Sequence, residues 1–335
     1  MNTFAGKRIT VTGGSGFLGK FVVKQLGQLG ATDVFVPRKQ IYNLCNYDEV
    51  VKLYADAKPQ LLIHLAATVG GIGANRSNPG RFFYENITMG INIIEEARRY
   101  DRLEKLVMVG TTCSYPKLTP TPFREEDLWN GYPEETNAPY GVAKRALLVM
   151  AQGYQKQYGL NAIYLILAGL YGPGDNFDLQ TSHVVPALIR KFVEAKEAAR
   201  PFVEVWGTGN VSREFLYVED AAEGLLHATL NYQKPDPVNL GTGSEVLIRD
   251  LVEEIRTLAG YTGEVQWQRS QPDGQPRRRL DVSKAEREFR FRARTDLHTG
   301  LKKTLDWYRG SRPESRADRA ENPSLLQQEK AASDA

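Results

Sequence analysis

Cysteine, histidine and long apolar runs are all scarce in this chain, and each scarcity excludes something. Two cysteines, Cys45 and Cys113, in 335 residues make no disulfide framework, and with the four histidines they show no metal-ligand spacing. No apolar stretch approaches the ~20 residues of a bilayer crossing. The first residues, Met1-Asn-Thr-Phe-Ala-Gly-Lys-Arg8, lead into a strand-like run without the apolar core of a signal peptide. A net charge of +3 is too small to argue for nucleic acid. Together these absences predict a soluble, cytoplasmic protein with free thiols, no metal site, and neither a nucleic-acid nor a membrane partner.

What is present alternates between two periodicities. Arg8-Ile-Thr-Val-Thr12 is a β-branched run that suits a buried parallel strand, and an amphipathic helix from Lys20 to about Leu29 follows it. Further strands are expected at 33–37, 60–65, 106–109 and 160–167, with helices over 47–57, 79–100, 184–195, 248–259 and 295–308. Residues 69–76 read as a flexible polar loop. Such alternation predicts an α/β, Rossmann-type doubly wound parallel sheet that binds ligands at its carboxyl edge. Residues 1–175 would form that domain, with a segment near 210–245 returning to it. Residues 176–310 would form a smaller α/β substrate-binding lobe, and 311–335 a disordered tail without apolar periodicity.

The chemistry-bearing residues cluster at the expected strand exits. Gly13-Gly-Ser-Gly16-Phe17-Leu18-Gly19 sits at a strand-to-helix junction, where bare backbone can approach a pyrophosphate and a helix N-terminus can hold it. Arg38 and Lys39 follow the second strand with no acid beside them, which favours the 2′-phosphate of NADP over the free 2′-hydroxyl of NAD. Leu65, Ala66 and Ala67 end another strand and are compatible with cofactor lying against them. His64, inside an apolar run, reads as a packed core residue. Tyr140 and Lys144, four apart, share one helix face. Thr111 or Thr112 supplies a hydroxyl near them.

The Gly-x-x-Gly-x-x-Gly spacing, Thr111, and the Tyr140/Lys144 pair resemble the extended branch of the short-chain dehydrogenase/reductase superfamily. That resemblance implies that the threonine and tyrosine hydroxyls bond a substrate carbonyl, while hydride comes from a nicotinamide. It further implies that the lysine bonds the nicotinamide ribose and lowers the tyrosine pKa. Val69-Gly-Gly-Ile-Gly-Ala-Asn75, Thr112-Cys-Ser-Tyr-Pro-Lys117, Tyr171-Gly-Pro-Gly-Asp-Asn-Phe177, Trp206-Gly-Thr-Gly209, Arg213-Glu-Phe-Leu216 and Pro272-Asp-Gly-Gln-Pro-Arg277 are similar to the GDP-L-fucose synthase family, over about residues 8–308. Such enzymes epimerise C3 and C5 of GDP-4-keto-6-deoxy-D-mannose and reduce C4 with NADPH. The resemblance implies that Cys113 and His183 are the carbon acid/base pair. It adds Val109, Gly110, Thr112, Lys144, Leu167, Leu170 and His183 to the cofactor contacts, and puts Lys191, Trp206, Arg213 and Arg278 in the GDP site. It also implies a homodimer built as a four-helix bundle from the helices carrying Gly90 and Ala146, although the sequence equally permits burial of those helices within one subunit. One departure stands out: Gly169 replaces the family's usual asparagine. The alternatives are a C4-reductase or 3,5-epimerase of another GDP-4-keto sugar, such as a deoxy-heptose, and a non-catalytic sensor of nucleotide sugar or NADP(H).

Overall fold

The computed structural model describes residues 4–271 and 273–312. From residue 313 onward the expected disordered tail lies outside them. The chain begins β1 (Arg8–Thr12), α1 (Phe17–Gln28), β2 (Asp33–Phe35), α2 (Tyr47–Ala57), β3 (Leu61–His64), α3 (Ile72–Ser77), α4 (Pro79–Tyr100), β4 (Lys105–Thr111), α5 (Ala138–Tyr158) and β5 (Ala162–Leu167). It continues β6 (Gly169–Tyr171), α6 (Val184–Glu197), β7 (Phe202–Trp206), β8 (Ser212–Arg213), β9 (Phe215–Tyr217), α7 (Val218–Asn231), β10 (Val238–Leu240), β11 (Val246–Leu247), α8 (Ile248–Ala259), β12 (Glu264–Gln268), α9 (Ser283–Phe289) and α10 (Leu297–Ser311).

Local chemistry accounts for several of these boundaries. Asn46 caps α2 by accepting from Asp48 N, and Asp48 and Glu49 complement the positive end of the helix. Proline stands in the first turn of both α4 and α5, where its missing N–H costs nothing. Gly159, at φ +71°, ends α5 in the left-handed conformation that glycine adopts without penalty.

Six strands form the central sheet in the order β10-β5-β4-β3-β1-β2, and every pairing is parallel. Their carboxyl ends therefore share one edge. All six residues of β5 are buried, as a strand covered on both faces requires. A first apolar core surrounds this sheet and includes residues of α1, α2, α4, α5 and α7. A second core gathers α6, α8, α10 and β7. Two-stranded pairings β6–β9, β7–β12 and β8–β11 complete the strands.

Two expectations change. Helix α1 begins at Phe17 rather than Lys20. The stretch expected as a flexible polar loop, 69–76, holds all but the last residue of the helix α3. Its polar Asn75 is buried because Nδ2 donates to the carbonyls of Gly70 and Gly71, so the side chain closes its own turn. Helices α4 and α5 cross closely within the chain: a Cβ on Gly90 would lie 2.2 Å from Leu147 Cδ1. Among the described residues no helix is long and apolar enough to cross a membrane.

Candidate active site

The carboxyl edge of β1 is shaped by absent side chains. Gly13, at φ +72°, presses on the exit of β3: a Cβ there would lie 2.7 Å from Ala66 N. A Cβ on Gly19 would lie 2.1 Å from Gly13 O, so the first turn of α1 sits directly on the glycine turn. Gly16 is the N-cap and has no side chain to satisfy the free N–H groups of Phe17, Leu18 and Gly19, and no acid occupies that turn. A helix start with unspent N–H donors and no anion of its own fits a pyrophosphate. Leu65 and Ala66 border this cradle through the Leu65 N to Thr12 O bond and the contact with Gly13. Ala67 follows directly. Arg38 and Lys39 are exposed just beyond β2, with no hydrogen bond from either side chain to a described residue.

The next strand exits carry the candidate reacting groups. Val109, Gly110 and Thr111 end β4, and Thr111 Oγ1 accepts from Cys113 N at 3.2 Å, capping a tight turn through Thr112, Cys113 and Ser114. The Thr111 hydroxyl proton is thereby left to donate outward. Thr112 is buried, and its carbonyl accepts from Tyr115 N. Helix α5 lies against this turn because position 141 is glycine: a Cβ would lie 2.1 Å from Cys113 O. Ser114 Oγ also donates to Gly141 O at 3.0 Å. Lys144 is held from behind by Tyr164 on β5, which donates to its backbone carbonyl at 2.6 Å. Gly110 makes room for that ring, since a Cβ would lie 2.4 Å from Tyr164 Cε1.

Lys144 is only 4% exposed, yet its Nζ makes no hydrogen bond to a described residue. Burial pushes it down to about 8. An ammonium buried without a partner fits a ligand hydroxyl, and the nicotinamide ribose would supply one. The Tyr140 phenol is raised, first by burial and then by the Cys113 sulfur. Lys144 Nζ stands 6.0 Å from the ring centroid, and burial dominates the phenol here. His64 lies buried beneath this edge, sharing a hydrogen bond of 2.8 Å between Nδ1 and Thr12 Oγ1. Burial depresses its imidazole to about 3, so it stays neutral.

His183 occupies the N-cap position of α6 without a side-chain bond to the helix, most of whose buried residues belong to the second core. Its imidazole is depressed by desolvation and then by the charge of Arg278. The residue is nonetheless exposed at the surface of the subunit. Arg278 Nη1 donates to Cys113 Sγ at 3.6 Å, so the charge that acts on His183 also sits on the Cys113 sulfur. Leu167 ends β5 and Leu170 lies in β6. Gly169 between them is exposed, and a Cβ there would lie 3.1 Å from Glu214 O.

The other expected substrate residues differ in how free they are. Trp206, at the end of β7, is 54% exposed and stands beside α3, where a Cβ on Gly73 would lie 3.9 Å from its ring. Lys191 donates to Glu204 O at 2.8 Å. Arg213 is more committed, with Nη1 and Nη2 spent on the carbonyls of Ser212, Asp273 and Gln275. Residue-type reasoning missed α3, Tyr164 and Gln275. The glycines at 70, 71 and 73 were the available signal for a close-packed wall; nothing local marks Tyr164.

Comparison with known proteins agrees with this geometry. The NAD dependent epimerase/dehydratase family matches residues 9–241. A GDP-L-fucose synthase of Sinorhizobium fredii is 40% identical over 301 residues, covering 90% of this chain and 95% of the relative. A crystal structure of a GDP-6-OMe-4-keto-L-xylo-heptose reductase from C. jejuni superposes with a TM-score of 0.87 at 28% identity, covering 92% of this chain and 99% of that one. A GDP-L-fucose synthetase from Naegleria fowleri bound to NADP gives 0.82 at 27% identity, covering 92% and 95%.

Proposed function

The chain belongs to the NAD dependent epimerase/dehydratase family and, within it, to the GDP-L-fucose synthase family, and on that premise we propose that it is an NADP-dependent enzyme converting GDP-4-keto-6-deoxy-D-mannose to GDP-L-fucose. The observation that carries this reading is the convergence of Thr111, Cys113, Tyr140 and Lys144 beside one sheet edge, with Arg278 donating to the Cys113 sulfur.

Each residue has a distinct task. NADPH, held by the Gly13–Gly19 cradle with Arg38 and Lys39 toward its 2′-phosphate, supplies hydride to C4 when bound. Thr111 and Tyr140 donate to the C4 oxygen, which polarises the ketone and acidifies the protons on C3 and C5. Cys113 and His183 remove and return protons at those carbons from opposite sides of the sugar, with the electron pair resting on the ketone oxygen as an enolate. During reduction Tyr140 gives its proton to the same oxygen. Lys144 fixes the cofactor ribose and adds positive charge beside the phenolate left behind. Trp206, Lys191, Arg213 and Arg278 form the nucleotide end of the cleft.

Residues 1–175 with the return at 210–245 form the cofactor lobe in this reading, and 176–310 the substrate lobe. We further assign a homodimer through a four-helix bundle of α4 and α5, supported by Tyr84, Ile91 and Val149, which stay exposed on those helices. A cytoplasmic location follows from the supply of NADPH and nucleotide sugar there, not from any feature of the fold.

Gly169 favours a second reading, a C4-reductase or 3,5-epimerase of another GDP-4-keto sugar such as a heptose. It removes the amide expected at that point of the cleft. One experiment separates the two: the protein, NADPH and GDP-4-keto-6-deoxymannose in deuterated water, followed by NMR. NADPH oxidation with deuterium at C3 and C5 is expected. Reduction without deuterium would select the C4-reductase, and no turnover would sink the assignment of this sugar.

A further inference from the structure

Two adjacent charges grip one loop from opposite sides. Arg213 Nη1 donates to Ser212 O at 2.7 Å and to Gln275 O at 2.6 Å, and Nη2 donates to Asp273 O at 2.7 Å. The buried Glu214 carboxylate accepts backbone N–H groups from Thr242, Gly243 and Leu280. The loop over 273–280 is thus fastened at both ends. From it Gln275, 2% exposed, donates Nε2 to the carbonyls of Pro116 and Lys117 at 2.9 and 3.1 Å, just past the Cys113 turn. Its Oε1 accepts from Arg278 Nε at 2.9 Å, and Arg278 Nη1 reaches Cys113 Sγ at 3.6 Å. An amide engaged at both ends has one orientation, and the planar guanidinium bonded to it inherits that direction.

We infer that Arg278 is the cation that stabilises the Cys113 thiolate, and that Gln275 is the positioning residue that aims it. The inference rests on the role proposed above for Cys113. A thiol cannot take a proton from carbon; the thiolate can, becoming S–H while the electron pair passes to the enolate oxygen. A guanidinium donating to the sulfur stabilises that anion before it takes the proton and again once the proton has been returned to carbon. The titratable groups around Cys113 are Tyr140 from α5, Arg213 from β8 and Arg278 from the loop, and the charge of Arg278 also acts on His183 at the N-cap of α6. Glu134 and Asp273 act on Arg213. Since the Arg213 Nη groups are spent on carbonyls, Arg278 is the cation that donates to sulfur among the described residues.

The test needs no sugar. In a full-length Cys45→Ser background, iodoacetamide reports on Cys113 alone: sulfur bonds to carbon, iodide leaves, and the rate follows the thiolate. Arg278→Gln should slow alkylation at neutral pH by about tenfold and move the rise of the rate to higher pH, with Arg278→Lys restoring part of it. Gln275→Ala should act in the same direction by about threefold, and should add nothing in the Arg278→Gln background. Thermal unfolding of each variant checks that the chain is folded; should Gln275→Ala not fold, Gln275→Glu takes its place. A rate–pH profile for Arg278→Gln that superimposes on its parent would overturn the role of Arg278. A further slowing on adding Gln275→Ala to Arg278→Gln would overturn that of Gln275. Failure of deuterium exchange with intact thiol reactivity would count against the proposed substrate, not against this pairing.

Discussion

Lys144 shows how a single side chain takes its properties from what surrounds it. In water its ammonium would stay charged far into the alkaline range; buried behind Tyr140 it loses its proton near pH 8. Below about 8 it carries charge in the free protein, and as pH rises through that value the charge disappears. NADPH affinity, followed by nucleotide fluorescence, should therefore weaken by about tenfold between about pH 7 and pH 9. Lys144→Arg, which stays charged, should flatten that decline; an unchanged decline would show that another group is responsible. The sequence announced Lys144 through its spacing from Tyr140. It did not announce Tyr164, whose hydroxyl holds the Lys144 carbonyl, because that partnership joins β5 to α5 across the interior. The same limit hid Gln275, a polar residue in a turn-like motif whose donors are spent in another part of the chain.

At the scale of elements, contact between helices and turns is set by glycines. Gly90 lets α4 meet Leu147 of α5, and Gly141 lets α5 rest on the carbonyl of Cys113. Gly90→Ala should lower unfolding free energy by about 1–3 kcal/mol through overpacking. Leu147→Ala leaves room for the added methyl, so urea titration of the double variant should show less than the sum of the two losses. Strict additivity would mean that the helices do not meet there. Long helices were legible: α2, α4 and α8 run between the residues that periodicity and end signals indicate. Helix α3 was not, because its six residues are too few for a periodic signal and its Asn75 is buried by bonding to its own turn.

For the whole molecule, the exposed Tyr84, Ile91 and Val149 lie on the two helices that also pack together inside the subunit. If a second copy covers them, sedimentation should give a dimer for the natural chain and a monomer for Ile91→Glu. A monomeric natural chain at micromolar concentration would end the four-helix-bundle proposal.

Alternation of buried strands with amphipathic helices determined the parallel sheet by itself, because a strand covered on both faces must be apolar throughout and a crossover must be helical. Glycine at the first turn and the Tyr140/Lys144 spacing likewise reported the candidate site, since those constraints are local. Tertiary structure alone decided which charged residues are free. Arg213, Arg278 and Lys191 look alike in sequence, yet carbonyls occupy the first, a thiol and an amide hold the second, and one carbonyl holds the third. Hydrogen-bond partners are drawn from across the fold, and no window of sequence contains them.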